Sequence, residues 1–328
     1  MLIASAAILI GFIILVWSAD LFVAGAAAIA ENMGMSPILI GLTIVSLGTS
    51  APEVLVSINA AISGTGELAV GNAIGSNIAN MGLVLGITVL IAPLPVHRNR
   101  LKREVPTLLA VTLGCGLLLL DGELDWIDGA LMLAALTFIL VEMIRSQSHD
   151  PNAAEEANVE ELPHMLPTRA WVSFAIGLIL LVASSKILVW GASKIAMELG
   201  VSPLVIGLSV VAVGTSLPEL AASLASAMKG HAEIALGNVM GSNLFNLLGV
   251  MSLPGIVDTQ ILGSQVLVRD YASMTGITLL LAAGLYGSLL RPASHNSPHE
   301  HQIGRAMGVL LLIIYALYYY WLFTTART

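Results

Sequence analysis

The chain has 328 residues, of which 57% are hydrophobic and 10% charged, with a formal net charge of −8. An average soluble domain carries about 25% charged residues, so this is the composition of a polytopic membrane protein. No basic stripe is present to neutralise phosphates, which counts against a nucleic-acid partner, and the single cysteine, Cys115, excludes an intramolecular disulfide.

A spanning helix needs roughly 20 predominantly apolar residues. Such runs fall at 2–30, 37–63, 68–92, 104–120, 125–145, 169–197, 203–228, 233–257, 267–290 and 303–325. The expected fold is all-α, a polytopic membrane protein with ten transmembrane helices. The first run has the apolar core of a signal peptide, but no basic residue precedes it and it continues past Trp17 to Ala30, so it reads as a retained helix. Cys115 lies within the fourth run and reads as packing. Gly34, Gly64, Gly66, Pro93, Pro95, Gly122, Gly200, Gly230 and Pro292 mark brief loops.

Counting loops alternately, one side receives Arg98, Arg100, Lys102, Arg103, Arg145, Arg169, Lys229, Arg291 and Arg305, and the other only Arg269 and Arg327. The positive-inside rule puts the first set in the cytoplasm and both termini outside it, as expected of a protein in a bacterial-type inner membrane. The one long connection, 146–168, carries Asp150, Glu155, Glu156, Glu160 and Glu161 and reads as an acidic cytoplasmic linker. It separates a first five-helix repeat, 1–145, from a second, 169–328.

The halves match under a shift of 166 residues, the separation of Glu53 and Glu219. Gly48-Thr49-Ser50-Ala51-Pro52-Glu53 returns as Gly214-Thr215-Ser216-Leu217-Pro218-Glu219. The stretch Ser36–Leu42 returns as Ser202–Leu208, and Gly71–Asn80 as Gly237–Asn246. Five spans per half is an odd number, so the second repeat is expected inverted relative to the first. Inverted repeats of this kind hold substrate near the bilayer midplane at the repeat interface.

An ionisable residue at bilayer depth costs roughly 2.5–3.5 kcal/mol on insertion scales, so two at matching places ask for a compensating partner, here a metal cation. Pro52 cannot donate to the carbonyl of Gly48 and its ring clashes there, so the helix is expected to kink or break near Gly48–Pro52. Ser46, Thr49, Ser50, Glu53 and Ser57 lie largely on one stripe. Asn72, Ser76 and Asn80 are spaced by four on the third helix, and Asn238, Ser242 and Asn246 repeat them in the eighth. Gly71, Gly75, Gly237 and Gly241 form small-xxx-small pairs expected to press these stripes against the broken helices. Asn77 and Asn243 point elsewhere and read as interhelical glue. Oxygen donors without His or Cys suit Ca²⁺ or Na⁺ and argue against zinc, copper or iron. Two glutamates balance one divalent ion, and the same charge holds sodium ions or protons in exchange.

These paired G-T-S-x-P-E and G-N-x-x-G-S-N-x-x-N segments resemble the alpha repeats of the cation/calcium exchanger superfamily, most closely the bacterial sodium/calcium exchangers. The resemblance covers both halves. It implies ten helices as two inverted five-helix repeats, exchange of Ca²⁺ against Na⁺, and first and sixth helices that slide across the other eight. It makes Glu53 and Glu219 the shared calcium ligands, with backbone carbonyls from Thr49 and Thr215. Ser50, Ser76, Asn80, Ser216, Ser242 and Asn246 then line flanking sites, and Ser46 and Ala212 sit where backbone oxygens reach sodium. Well-known members carry an aspartate at one of the positions matching Asn80 and Asn246. Both are amides here, which leaves stoichiometry and coupling to H⁺ or K⁺ open.

No cofactor is expected beyond the transported ions. A passive cation channel would use the same oxygens without two alternating states. An enzyme is not indicated, since the spans hold no nucleophile with a nearby base, and His97, His231 and His295 lie in loops. Glu67 and Glu233 read as charges favouring helix N-termini. Asp20 and Lys186, at repeat-equivalent places, form a pair or reach interfacial water. Lys194 is expected to snorkel, and Tyr315–Trp321 to form an interfacial belt.

Overall fold

The computed structural model describes residues 1–96, 98–147, 164–200, 212–289 and 301–325. Helices in chain order are α1 (Leu2–Met33), α2 (Pro37–Thr49), α3 (Ala51–Ile62), α4 (Gly66–Ile91), α5 (Arg98–Leu118), α6 (Trp126–Gln147), α7 (Pro167–Glu198), α8 (Ala212–Thr215), α9 (Leu217–Met228), α10 (Ala232–Val257), α11 (Val266–Ser288) and α12 (Arg305–Thr325). Among the described residues, seven are long and apolar enough to cross a membrane, or eight with the bent pair α2 and α3 counted as one span. The protein is thus a mostly helical, polytopic membrane protein. The fourth apolar run is helical but starts at Arg98, so Arg98, Arg100, Lys102 and Arg103 lengthen it with charge. The seventh expected run, 203–228, begins outside the described residues, as do Ser202–Leu208 and most of the acidic connection, 148–163.

Glycines at the expected turns carry the backbone into the left-handed region, Gly34 at φ 61° with its counterpart Gly200 at φ 81°, and Gly64 at φ 70° with Gly230 at φ 86°. Four short strands were not expected from periodicity. β1 (Leu94–Val96) pairs antiparallel with β4 (His301–Ile303), and β2 (Glu123–Leu124) with β3 (Gln260–Ile261). Two or three residues are too few for an alternating pattern to register.

The chain divides into two compact units, one of Met1–Pro52 with Val141–Asn238, the other of Glu53–Leu140 with Val239–Thr328. Each takes residues from both halves of the sequence. The first is organised on α1 against α7. Phe22 stacks on Phe174 with ring centroids 4.8 Å apart, and a Cβ at Gly25 would run into the Phe174 backbone, one at Gly177 into that of Phe22. Gly191 faces Ala4 and Ile8 while Gly25 faces Ala170, so the two helices run antiparallel. Small residues permit the close approach that helices need in lipid, where hydrophobicity alone does not join them.

Lys186 does not pair with Asp20. Asp20 instead meets Lys229, Nζ to Oδ1 3.1 Å, with the ammonium also on the Asp20 carbonyl at 3.0 Å. Lys229 is brought there by its place at the C-terminal end of α9, while Lys186 stays exposed. Lys194 lies 5.3 Å from the Trp190 ring centroid, a cation–π contact.

In the second unit Cys115 is buried, and Tyr271 donates its hydroxyl to the Thr112 carbonyl at 2.5 Å. Along Tyr315–Trp321, the run expected to form a belt, two tyrosines are buried. Tyr320 and Trp321 are exposed, whereas Tyr315 and Tyr318 are buried, Tyr315 over Gly82 and Tyr318 donating to Asp270 Oδ1 at 3.1 Å. Helical spacing puts 315 and 318 on the inner face, and composition alone does not separate that face from the lipid-facing one.

Candidate functional site

The two proline motifs fold alike. α2 stops at Thr49, Ser50 takes φ −80°, ψ 4°, and α3 departs at 47° to α2. α8 stops at Thr215, Ser216 takes φ −89°, ψ 4°, and α9 follows. In each case the proline two residues later has no N–H for the carbonyl four back, so the helix breaks at the serine. The freed Gly214 carbonyl accepts the Ser185 hydroxyl at 2.7 Å. At the first break the Ser46 carbonyl takes the Ser50 N–H at 2.9 Å and the Thr49 hydroxyl at 3.3 Å, while the Ser46 hydroxyl donates to the Leu42 carbonyl at 2.8 Å.

In the first unit these breaks meet the N-terminal half of α10. Glu219 is fully buried, and its Oε1 accepts the Ser50 hydroxyl at 3.2 Å. Asn238 ties the cluster together. Its Nδ2 donates to the Glu219 carbonyl at 3.3 Å and to Ser223 Oγ at 2.9 Å, and its Oδ1 accepts the Thr49 hydroxyl at 3.0 Å. Gly41 and Gly237 allow this. A Cβ on Gly41 would sit 2.6 Å from the Ile234 carbonyl, and one on Gly237 2.5 Å from that of Ile38. The expected close approach is found at Gly237; nothing described stands within 4 Å of a Cβ at Gly71 or Gly75, and Gly207, the repeat counterpart of Gly41, lies outside the described residues. Ser216 is buried and Thr215 half-buried. Ala212 opens α8.

The second unit holds the other carboxylate. Glu53 is fully buried in the first turn of α3. Its Oε1 accepts the Ser76 hydroxyl at 3.4 Å, and its Oε2 has no hydrogen-bond partner among the described residues. Asn80 and Asn246 are buried, and neither amide has a hydrogen-bond partner among the described residues. Each opens a π-helical turn, Asn80–Val84 in α4 and Asn246–Val250 in α10. There the Asn80 carbonyl accepts the N–H of Leu85 and the Asn246 carbonyl that of Met251, five residues on. Such turns concentrate at functional positions in helices. Ser242 is buried nearby in sequence. Asn77 donates to the Asn243 carbonyl at 3.2 Å and lies 3.6 Å from Met274 Sδ, the expected glue, whereas the Asn243 amide, expected to do the same, has no hydrogen-bond partner among the described residues.

Sequence reading passed over Asn238 and Ser223 as site residues. The signal was present, since Asn238 shares a four-residue stripe with Ser242 and Asn246. The π-turns and the bond from Ser185 carry no sequence signal, because the repeat counterpart of Ser185 is Ala19. Among the described residues no three His, Cys, Asp or Glu side chains gather as a metal cluster. The donors are instead carboxylates with hydroxyls and amides, the hard oxygen chemistry of calcium and alkali cations.

Comparisons with known proteins point the same way. A family model described as sodium/calcium exchanger protein matches residues 3–145 and 169–324. The protein CaxA of Alkalimonas amylolytica is 44% identical over 331 residues, covering 99% of this chain and 100% of its own. The sodium/calcium exchanger MaX1 of Methanosarcina acetivorans is 30% identical over 310 residues, covering 84% of this chain and 89% of its own. A solved structure of the sodium-calcium exchanger NCX_Mj superposes with a TM-score of 0.81 at 32% identity, covering 97% of this chain and 98% of the other. Matched by that family model over most of its length, and by these relatives along nearly the whole chain, this protein belongs to the sodium/calcium exchanger family of membrane transporters.

Proposed function

We propose that the protein is a secondary-active antiporter that moves Ca²⁺ against Na⁺ by alternating access, with Glu53 and Glu219 as the charged ligands. The observation that carries this reading is Glu53, a fully buried carboxylate with one oxygen on a single serine hydroxyl and the other without a hydrogen-bond partner among the described residues. A buried carboxylate stays charged only beside a cation and otherwise takes a proton. Thr49 and Thr215 supply backbone oxygens. Ser50, Ser76, Asn80, Ser216, Ser242 and Asn246 line the path of the ions, and Ser46 and Ala212 contribute carbonyls to sodium.

The reading includes ten helices in two inverted repeats, 1–145 and 169–328. It is supported by α1 and α7, repeat counterparts that pack antiparallel, and by Asn77 bonding the backbone of its own counterpart Asn243. The excess of Lys and Arg on one set of loops supports termini on the outer side of an inner-type membrane. The amides at Asn80 and Asn246 favour a second reading in which protons or potassium drive calcium transport.

The test is radioactive calcium uptake into sodium-loaded proteoliposomes diluted into sodium-free buffer, for wild type, Glu53→Gln and Glu219→Gln, and again with a pH or potassium gradient. Sodium-driven accumulation above equilibrium, lost in both variants, is the expected result. Accumulation only with the pH or potassium gradient assigns the coupling to that ion. Passive equilibration in every case means a channel.

A further inference from the structure

Asn238 and Asn72 occupy the same place in the two repeats, yet their bonding differs. Asn238 is fully buried and makes three hydrogen bonds, to the Glu219 carbonyl, to Ser223 and with Thr49. Asn72 has a buried Nδ2 with no hydrogen-bond partner among the described residues. The counterparts of Asn238's two acceptors are the Glu53 carbonyl and Ser57 Oγ, and both belong to the same compact unit as Asn72. Ser57 meanwhile donates to the Val250 carbonyl at 2.7 Å, at the end of the π-turn that Asn246 opens. The carboxylates differ in step. Glu219 sits in a chain segment pinned at its own peptide by Asn238, whereas no side chain among the described residues donates to the Glu53 carbonyl, and its carboxylate accepts the Ser76 hydroxyl at 3.4 Å.

We propose that Asn238 and Asn72 are positioning residues that form the two ends of a reciprocal latch. In the state described here Asn238 pins the peptide of Glu219. In the state open to the opposite side Asn72 donates to the Glu53 carbonyl and Ser57 Oγ, and Asn238 lets go. The inference rests on the alternating-access reading above. Its physical basis is that an amide hydrogen left unpaired in a buried site is costly, and that repeat symmetry gives Asn72 the same donors and acceptors in sequence that Asn238 uses. Each bond is a local interaction made in one state only, and such an interaction shifts a two-state equilibrium. Neither amide is required to touch the ion, since each acts through the backbone of the neighbouring glutamate.

The experiment measures KM and turnover for calcium from each face of oriented proteoliposomes for wild type, Asn72→Ala, Asn238→Ala and the double variant. Loss of one latch depopulates one state, so apparent affinity falls at the face that state presents and rises at the other. Asn238→Ala and Asn72→Ala are expected to shift the ratio of the two KM values in opposite directions, about 3- to 10-fold each for one buried hydrogen bond, and the double variant to return it towards wild type. A merely structural role gives shifts of the same sign, which overturns the proposal, as does additive loss in the double variant. Hydrogen exchange on the purified full chain is read alongside, because it needs no transport. Asn238→Ala should deprotect amides of 217–228 and protect those of 51–62, with Asn72→Ala doing the reverse. Deprotection of both segments in both variants overturns the latch. Absence of any driven uptake by wild type overturns the transport reading instead and leaves the exchange pattern to decide the latch.

Discussion

Ser50 donates its hydroxyl to Oε1 of Glu219 at 3.2 Å across 169 residues of sequence, so the break in one motif solvates the carboxylate of the other. Both side chains are fully buried. Removing a donor so that a buried acceptor is left unsatisfied costs about 1–3 kcal/mol. Ser50→Ala should lower stability by an amount of that order without calcium, and saturating calcium should recover part of it, because a ligand bound only by the folded state stabilises it. Thermal unfolding in detergent with and without calcium checks this. An unchanged midpoint in both conditions would mean that the hydroxyl does not hold the carboxylate.

The approach of Gly41 to Gly237 makes a second prediction. A side chain at Gly237 collides with the Ile38 carbonyl, and one at Gly41 lies 3.0 Å from the backbone nitrogen of Asn238. Backbone has to move, and Asn238 moves with it. Gly237→Val should cost about 1–3 kcal/mol, the range for overpacking a fitted contact, and reduce calcium uptake. Gly276→Ala, where nothing stands within 4 Å among the described residues, should be silent. Size-exclusion profiles after graded heating, paired with uptake, compare the two.

What the sequence made legible follows from which signals repeat. Pro52 and Pro218 announced both helix breaks, because a missing N–H acts wherever proline falls in a helix. The buried carboxylates, the Asn and Ser stripes and the turn glycines were read from identity and spacing. Other features depend on partners far away in sequence. Asn238 looked equivalent to Asn72 by spacing and differs in the bonds it makes to the Glu219 carbonyl and Ser223. Asp20 faced Lys186 by repeat symmetry but is claimed by Lys229, since symmetry of sequence does not fix which ammonium arrives. Tyr318 is one of several aromatic residues in a run and is distinguished by Asp270. The π-turns at Asn80 and Asn246 arise from an extra residue accommodated by packing, which no local preference encodes.

The Asp20–Lys229 pair is half-exposed on both sides. Exposed pairs contribute about 0–1 kcal/mol because water and salt screen them and two long side chains lose freedom. Asp20→Asn should therefore leave uptake unchanged and shift thermal stability by less than about 1 kcal/mol, even at low ionic strength. A larger loss in a salt series of melting curves would show that the pair holds α9 against α1 through more than its charge.

Charge bookkeeping at the buried donors sets the last expectation. Glu53 and Glu219 carry two negative charges, and the amides of Asn80 and Asn246 add none. One Ca²⁺ matches that charge, and so do two monovalent cations. Exchange of one for two moves no net charge, and wild-type uptake should be insensitive to an imposed membrane potential. Asn246→Asp adds a buried carboxylate beside the π-turn, and an uncompensated charge there is costly enough to recruit a further monovalent ion or a proton. Recruitment of a third sodium ion makes the cycle move one net charge, worth about 2.3 kcal/mol per 100 mV, or close to 50-fold in the calcium gradient sustained at equilibrium. Calcium accumulation at clamped potentials, for wild type and Asn246→Asp at several pH values, reads this directly. Voltage-dependent wild-type uptake would show that the amides already hold a third cation. A variant that gains pH dependence without voltage dependence would show that the new carboxylate stays protonated.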